Sequence, residues 1–416
     1  MKLQGSFAPP GDKSISHRLG LFALLAEGAC SVENFSPCED CASTLAVVQK
    51  LGVGVERQGN LVRLTGAGGR LKSGEVDCGN SGTTMRLLMG ILAGRPGEFT
   101  LRGDESLSRR PMQRVADPLG AMGAKVRCEE GKPPVHISGV QLRGAKHNLA
   151  VASAQLKSAL LLAGVQAEGE TQVKEPAPSR DHTERLFKTF GADIWQQDGA
   201  WCVKRSALSL PSDISVPGDA SSAAFFICGA IITPGSQIEA RDTLLNPTRI
   251  GFLKILERMG AQLEVVEQGN DPESWGKVRA AFTQELRGCR VEGREIPFLV
   301  DEVPILALAA TQAKGETVFH DVGELRIKES DRLGAIVAQL SAMGAKLAIR
   351  GDDLIVQGPS RLSVPRQELE SYGDHRIAMT LAIAGVVAGQ ALQIRDADCA
   401  AISYPSFSAE LERLVK

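Results

Sequence analysis

Met122-Gly123-Ala124-Lys125-Val126 returns late in the chain as Met343-Gly344-Ala345-Lys346-Leu347. Each closes a phrase of the form apolar-x-x-Met/Phe/Leu-Gly, which also occurs at Val48–Gly52, Leu186 to Gly191 and Leu256 to Gly260. Four of the five continue Gly-Ala-x-apolar, and the steps from glycine to glycine are 71, 68, 69 and 84 residues. A period of that size marks a repeated supersecondary unit. A final helix at Phe407–Lys416 would be a sixth copy, cut short.

A second feature keeps the same rhythm. Leu19–Gly28, Thr84–Gly97, Leu156–Gly169, Ala220–Gly235, Val303–Gly315 and Ile377–Gly389 are apolar on nearly every side, the pattern of helices buried all round. Short alternating stretches follow them, such as Cys30 to Phe35 and Glu316 to His320, and read as strands. A polar loop and an amphipathic helix come next, for example over Glu329–Gly344. Each copy therefore combines strands with one buried and one half-exposed helix. The class is α/β in the α+β sense.

Pro10-Gly11-Asp12-Lys13-Ser14 and Pro217-Gly218-Asp219-Ala220-Ser221 lie 207 residues apart, which is three copies. This spacing predicts two three-copy domains, one over 12–219 and one combining 1–11 with 220–416. The chain would cross between them near 10–13 and 217–220, and paired crossings make a natural hinge.

The 416 residues include 47 Lys+Arg and 49 Asp+Glu, a net charge of −2 that disfavours a general nucleic-acid binder. Aromatics at 4% offer little base-stacking surface. Nine cysteines without a secretory leader predict a reduced, cytoplasmic setting. Cys38 and Cys41 form one C-x-x-C with no second pair at zinc spacing, which reads as unpaired thiols at a loop and helix start. Ala220–Ile238 and Ile377–Ile394 are uncharged but interrupted, so no membrane span is expected.

The polar residues gather just before the buried helices. They are Lys13-Ser14 with His17-Arg18; Asn80-Ser81-Gly82-Thr83 with Arg86; Ser153-Ala154-Gln155 with Lys157; Asp219 with Ser221-Ser222; Asp301-Glu302; and Asp374-His375-Arg376. Any one could be an N-cap, worth about 1 kcal/mol. Together they bring cations that a cap does not need. Helix N-termini bind phosphate and carboxylate, so converging ones would hold a strongly anionic small molecule. Arg109-Arg110 precede Pro111, read as the first residue of a helix. Lys328 and Arg332 fall at i,i+4 and would repel unless an anion lay between them. Gly11-Asp12-Lys13-Ser14 lacks the rest of a phosphate-loop frame. Gly66-Ala67-Gly68-Gly69 reads as a hairpin turn. His136, His147 and His320 sit in strand or loop segments without sequence partners, as structural residues.

With these residues in view, the whole chain resembles the 5-enolpyruvylshikimate-3-phosphate (EPSP) synthase family. The likeness rests on Pro10 to Arg18, Cys78 to Thr83, Arg109-Arg110-Pro111, Ser153-Ala154-Gln155, Lys328 to Arg332 and Asp374 to Met379, in order and at family spacing. It implies the two-domain enolpyruvyl transferase fold, each domain three copies of a βαβαββ unit around buried parallel helices, an inside-out α/β barrel. It also implies transfer of the enolpyruvyl group of phosphoenolpyruvate to the 5-hydroxyl of shikimate 3-phosphate, by addition and then elimination, in a monomer without metal or organic cofactor. By the same resemblance, Lys13, Ser14, Arg18, Ser153, Ala154, Gln155, Arg180, Asp301 and Lys328 serve shikimate 3-phosphate. Lys13, Asn80, Gly82, Arg110, Gln155, Arg332 and Arg376 serve phosphoenolpyruvate. Asp301 would be the general base and Glu329 the proton donor, with Lys13 the third catalytic residue.

There are departures from the family pattern. Ile402 stands where many members have a Lys. Gly82 leaves room for glyphosate, whereas Leu87 replaces a Pro common in sensitive members and Ser153-Ala154-Gln155 resembles the insensitive branch. Two rival readings are the sister transferase acting on UDP-N-acetylglucosamine and a ring that clamps DNA. The first usually carries a Cys in the loop where this chain has Glu105 to Arg110. The second wants a basic inner face.

Overall fold

Six buried helices form, Lys13–Phe22, Gly82–Ala93, Ala154–Gly164, Ala220–Ile232, Val303–Thr311 and His375–Ala388; the first lies earlier than the expected Leu19–Gly28, ends at Phe22 and carries Lys13, His17 and Arg18. A computed structural model describes all of Met1–Lys416. In Ala220–Ile232 and Val303–Thr311 every residue is buried, because neither helix has a side chain that gains by reaching water. No helix is long and apolar enough to cross a membrane.

Each buried helix sits between two short strands, and a half-exposed helix and a hairpin follow. Glu75 in Gly74–Asp77 runs parallel to Thr100 in Gly97–Arg102, and the latter strand then pairs antiparallel with Lys132–Gly139. The same order builds five four-stranded sheets and a sixth of only two strands, Leu369–Glu370 with Ile394–Arg395. That last copy ends in a single helix, Phe407–Leu414.

The chain divides into two compact units, Gly11–Val216 and Met1–Pro10 with Pro217–Lys416. Strand pairing gives the reason. Gln4–Phe7 precedes the first buried helix, yet it pairs with Gln237–Leu244, the strand that follows the fourth. Asp213–Ser215 precedes the fourth buried helix, yet it pairs with Ala29–Glu33, the strand that follows the first. The two copies have exchanged their leading strands, so the chain must leave each unit once. The glycines of the two Pro-Gly-Asp motifs serve close packing inside their own units. A Cβ on Gly11 would lie 1.7 Å from the Asn34 carbonyl oxygen, and one on Gly218 would lie 2.8 Å from Pro9 Cγ.

Some local expectations change. The hairpin turn is at Gly59-Asn60, while Gly66 to Gly69 belong to the connection between copies. The helix expected from Pro111 begins at Gln113. The one expected from Glu329 begins at Arg332, capped by the Asp331 carboxylate accepting from the Gly334 N–H at 3.1 Å. His136 and His320 do have partners, Thr100 at 3.2 Å and Asp353 at 2.9 Å.

Gly90 is the closest point between two buried helices, where an added Cβ would meet the Ala159 carbonyl oxygen at 2.0 Å. Backbone cannot rotate out of the way. Gly90→Ala is expected to cost about 1–3 kcal/mol through overpacking, read as a lower denaturant midpoint for the 11–216 unit.

Candidate functional site

In the unit 11–216, three buried helices begin on side-chain caps. The Asp12 carboxylate accepts from the Ile15 N–H at 2.9 Å, Ser81 from Thr84 at 3.1 Å and Ser153 from Leu156 at 3.5 Å. With the caps occupied, the neighbouring polar groups turn to one another. Lys13 forms an ion pair with Asp40, at the start of the helix Glu39–Leu51. Asn80 accepts from Arg110 at 2.8 Å and donates to Asp104 at 2.7 Å. Arg86 donates to Gln155 at 2.6 Å, and Gln155 donates to Thr83 at 3.0 Å. A Cβ at Gly82 would lie 3.1 Å from Arg86 and 3.4 Å from Arg110, so two guanidinium groups border the start of that helix.

Arg18 is buried and fully engaged. It donates to Thr183 at 2.8 Å, to the Ser14 carbonyl at 2.9 Å and to Ser158 at 2.9 Å. Lys157, grouped with the cations on sequence grounds, has a different role: it lies buried between Glu175 and Glu184, each 2.8 Å away. Its pairing ties the loop containing partly exposed Arg180 to the helix that starts at Ala154. Burial opposes the charge, but the two carboxylates win and hold the Lys157 ammonium above its usual range.

The other unit gathers Asp301, Glu329, Arg332, Asp374 and Arg376. Arg332 is 1% exposed. It donates to Asp374 at 2.9 Å and to Glu329 at 2.6 Å, and stands 3.5 Å from Asp301. Arg376 reaches the Asp301 carbonyl at 3.2 Å and its carboxylate at 3.5 Å. Asp374 also caps the helix His375–Ala388 through the Arg376 N–H at 2.9 Å. Burial alone would raise the Asp374 carboxyl, yet the Arg332 guanidinium overrides it and keeps it below the usual carboxylate range. The same carboxylates push Arg332 further up than its ordinary value, against the cost of burial.

The expected clash between Lys328 and Arg332 does not arise. Lys328 ends the short helical turn Gly323–Ile327 and pairs with Glu324 at 2.9 Å, while Arg332 opens the next helix. Each cation has its own protein carboxylate, Lys328 on Glu324 and Arg332 on Glu329 and Asp374. Ile402 lies in the turn Ala397–Ile402 and supplies no cation. Asp40 and Asp104, which meet the Lys13 ammonium and the Asn80 amide across 27 and 24 residues of chain, are partners that a linear reading passes over, and it does not show that Asp374 takes Arg332 from 42 residues away.

The full span 1–411 matches the family described as EPSP synthase (3-phosphoshikimate 1-carboxyvinyltransferase). The chain belongs to that family. A 3-phosphoshikimate 1-carboxyvinyltransferase of Bacillus velezensis is 44% identical, over 100% of this chain and 98% of its own. One from Desulforudis audaxviator is 46% identical, over 99% and 97%. Among solved structures, EPSP synthase from Acinetobacter baumannii superposes with a TM-score of 0.88 at 39% identity, covering 100% of this chain and 96% of that one. The enolpyruvyl transferase NikO from Streptomyces tendae shares the fold at 20% identity, with a TM-score of 0.79 over 99% and 95%.

Asp374 offers a test of the buried pairing. Asp374→Asn leaves Arg332 short of a charge and is expected to cost about 3–5 kcal/mol. The folded carboxyl is held down, so its stabilisation is present above the unfolded value of about 4 and is lost as pH falls through the lower folded value. Acid unfolding curves should therefore show the variant losing less stability than the parent below about pH 4.

Proposed function

We infer that this chain transfers the enolpyruvyl group of phosphoenolpyruvate to the 5-hydroxyl of shikimate 3-phosphate and releases phosphate. The observation that supports this most strongly is Asp301, flanked by Arg332 and Arg376, with Glu329 on the same Arg332 guanidinium. Two carboxyls sharing cations but differing in surroundings can divide the work of base and acid.

Asp301 takes the proton from the 5-hydroxyl as its oxygen bonds to the central carbon of phosphoenolpyruvate. Glu329 protonates the methylene carbon, which gives a tetrahedral adduct. The bond from the central carbon to the phosphate oxygen then breaks, the methyl group returns a proton to Glu329, and the enol ether and phosphate separate. Arg332 and Arg376 take the carboxylate and phosphate of phosphoenolpyruvate in fork-like pairs, which releases Asp301 from its resting contacts. Lys13, Arg110, Asn80, Gln155 and the start of the helix at Gly82 hold the same substrate. Ser14, Arg18, Ser153, Ala154, Gln155, Arg180 and Lys328 hold shikimate 3-phosphate. Arg86 joins them, because it already grips Gln155.

The working form in this reading is a cytoplasmic monomer using no cofactor, with a hinge where the chain passes from one unit to the other. The rival acceptor and the DNA clamp have no comparable support. Relatives across the full length carry the shikimate enzyme's name, and the basic residues sit on carboxylates at helix starts.

Phosphate should appear only when both substrates are present. Asp301→Ala is expected to lower turnover by about 10²–10⁴ while leaving shikimate 3-phosphate affinity largely intact, measured by phosphate release and calorimetry. Full turnover in that variant would remove Asp301 from the proton path.

A further inference from the structure

Cys38 and Cys41 form a sequence motif that the reaction does not use. Cys38 is the N-cap of the helix Glu39–Leu51, and Cys41 lies in its first turn. The Cys41 N–H donates to the Cys38 carbonyl at 3.1 Å, a turn that keeps the two α-carbons under about 7 Å apart. Disulfides span about 4.4–6.8 Å between α-carbons. Neither thiol is in a disulfide, and both are fully buried.

Their position relative to the site gives the pair meaning. Cys41 Sγ donates to the Lys13 carbonyl at 3.6 Å, and Asp40, between the two cysteines, forms the ion pair with Lys13. The turn that would carry a crosslink also holds a substrate-binding ammonium in place.

We propose that Cys38 and Cys41 form a thiol–disulfide modification site that switches off substrate binding at Lys13 when a disulfide oxidant such as oxidised glutathione is present. The Cys38 thiolate attacks a sulfur of the oxidant and expels one glutathione thiolate. Cys41 then loses its proton and displaces the second glutathione, so two protein thiols become one disulfide and one oxidised glutathione becomes two thiols. The bond removes the Cys41 S–H that donates to Lys13 and draws in the turn bearing Asp40. The thiol of Cys38 is suited to the first step: hydrogen bonding from Cys41 and the charge of Lys13 outweigh burial and lower it to about 7. Because both sulfurs are buried, the oxidant reaches them only when this first turn opens. Ligand on Lys13 therefore slows the reaction.

The inference rests on the assignment of Lys13 to the substrates, and the test separates the two. The reduced full-length chain is treated with oxidised glutathione, with and without both substrates, then alkylated and peptide-mapped. Phosphate release is measured before treatment, after it, and after dithiothreitol. The expected result is a Cys38–Cys41 crosslink that forms more slowly with substrates. Activity should fall at least about tenfold and return on reduction, while Cys38→Ser keeps its activity through the same treatment. Complete alkylation of both cysteines after oxidation, or a mapped crosslink with unchanged phosphate release, would overturn the proposal. Absence of phosphate release from the reduced chain would instead count against the assigned reaction.

Discussion

A helix buried on all sides can display polar groups only at its ends. That constraint governs both units of this protein. Ala220–Ile232 and Val303–Thr311 show no residue to solvent, so whatever chemistry the fold offers must be built where such helices start. The N–H groups there need acceptors, and Asp12, Ser81, Ser153, Asp219 and Asp374 provide them. Each cap is followed or faced by a cation, so positive charge gathers where these helices start.

Those cations do not wait unpaired. Lys13 rests on Asp40, Arg110 on Asn80, and Arg332 on Asp374, Glu329 and Asp301. A buried guanidinium without a partner would be costly, and a carboxylate so close fixes its orientation. The carboxylates fall into two kinds. Asp374, fully buried and a helix cap besides, is a fixed support. Asp301 and Glu329 keep some exposure, at 17% and 25%, beside their arginine partners.

Much of this was legible along the chain. The seventy-residue rhythm and the all-round apolar segments specify alternating buried and half-exposed helices, because periodicity is local information. The repeated Pro-Gly-Asp motif already placed the first residues with the second domain, but the strand pairings that carry this out, Gln4–Phe7 on Gln237–Leu244 and Asp213–Ser215 on Ala29–Glu33, were not legible, since short strands look alike whichever sheet receives them. Lys157 shows the limit for side chains. In sequence it belongs with the motif cations, and only the fold reveals that Glu175 and Glu184 enclose it. Lys328 and Arg332 misled for a related reason: their i,i+4 spacing presumed one continuous helix, whereas the helix starts at Arg332.

In the proposed reaction, cations at helix starts or facing them act on phosphoenolpyruvate. The most direct measurement is kcat/KM for phosphoenolpyruvate, by phosphate release, in Arg110→Met of one unit and Arg376→Met of the other. Each should fall by about tenfold or more, while KM for shikimate 3-phosphate stays within about twofold. An unchanged kcat/KM for phosphoenolpyruvate in either variant would contradict the account.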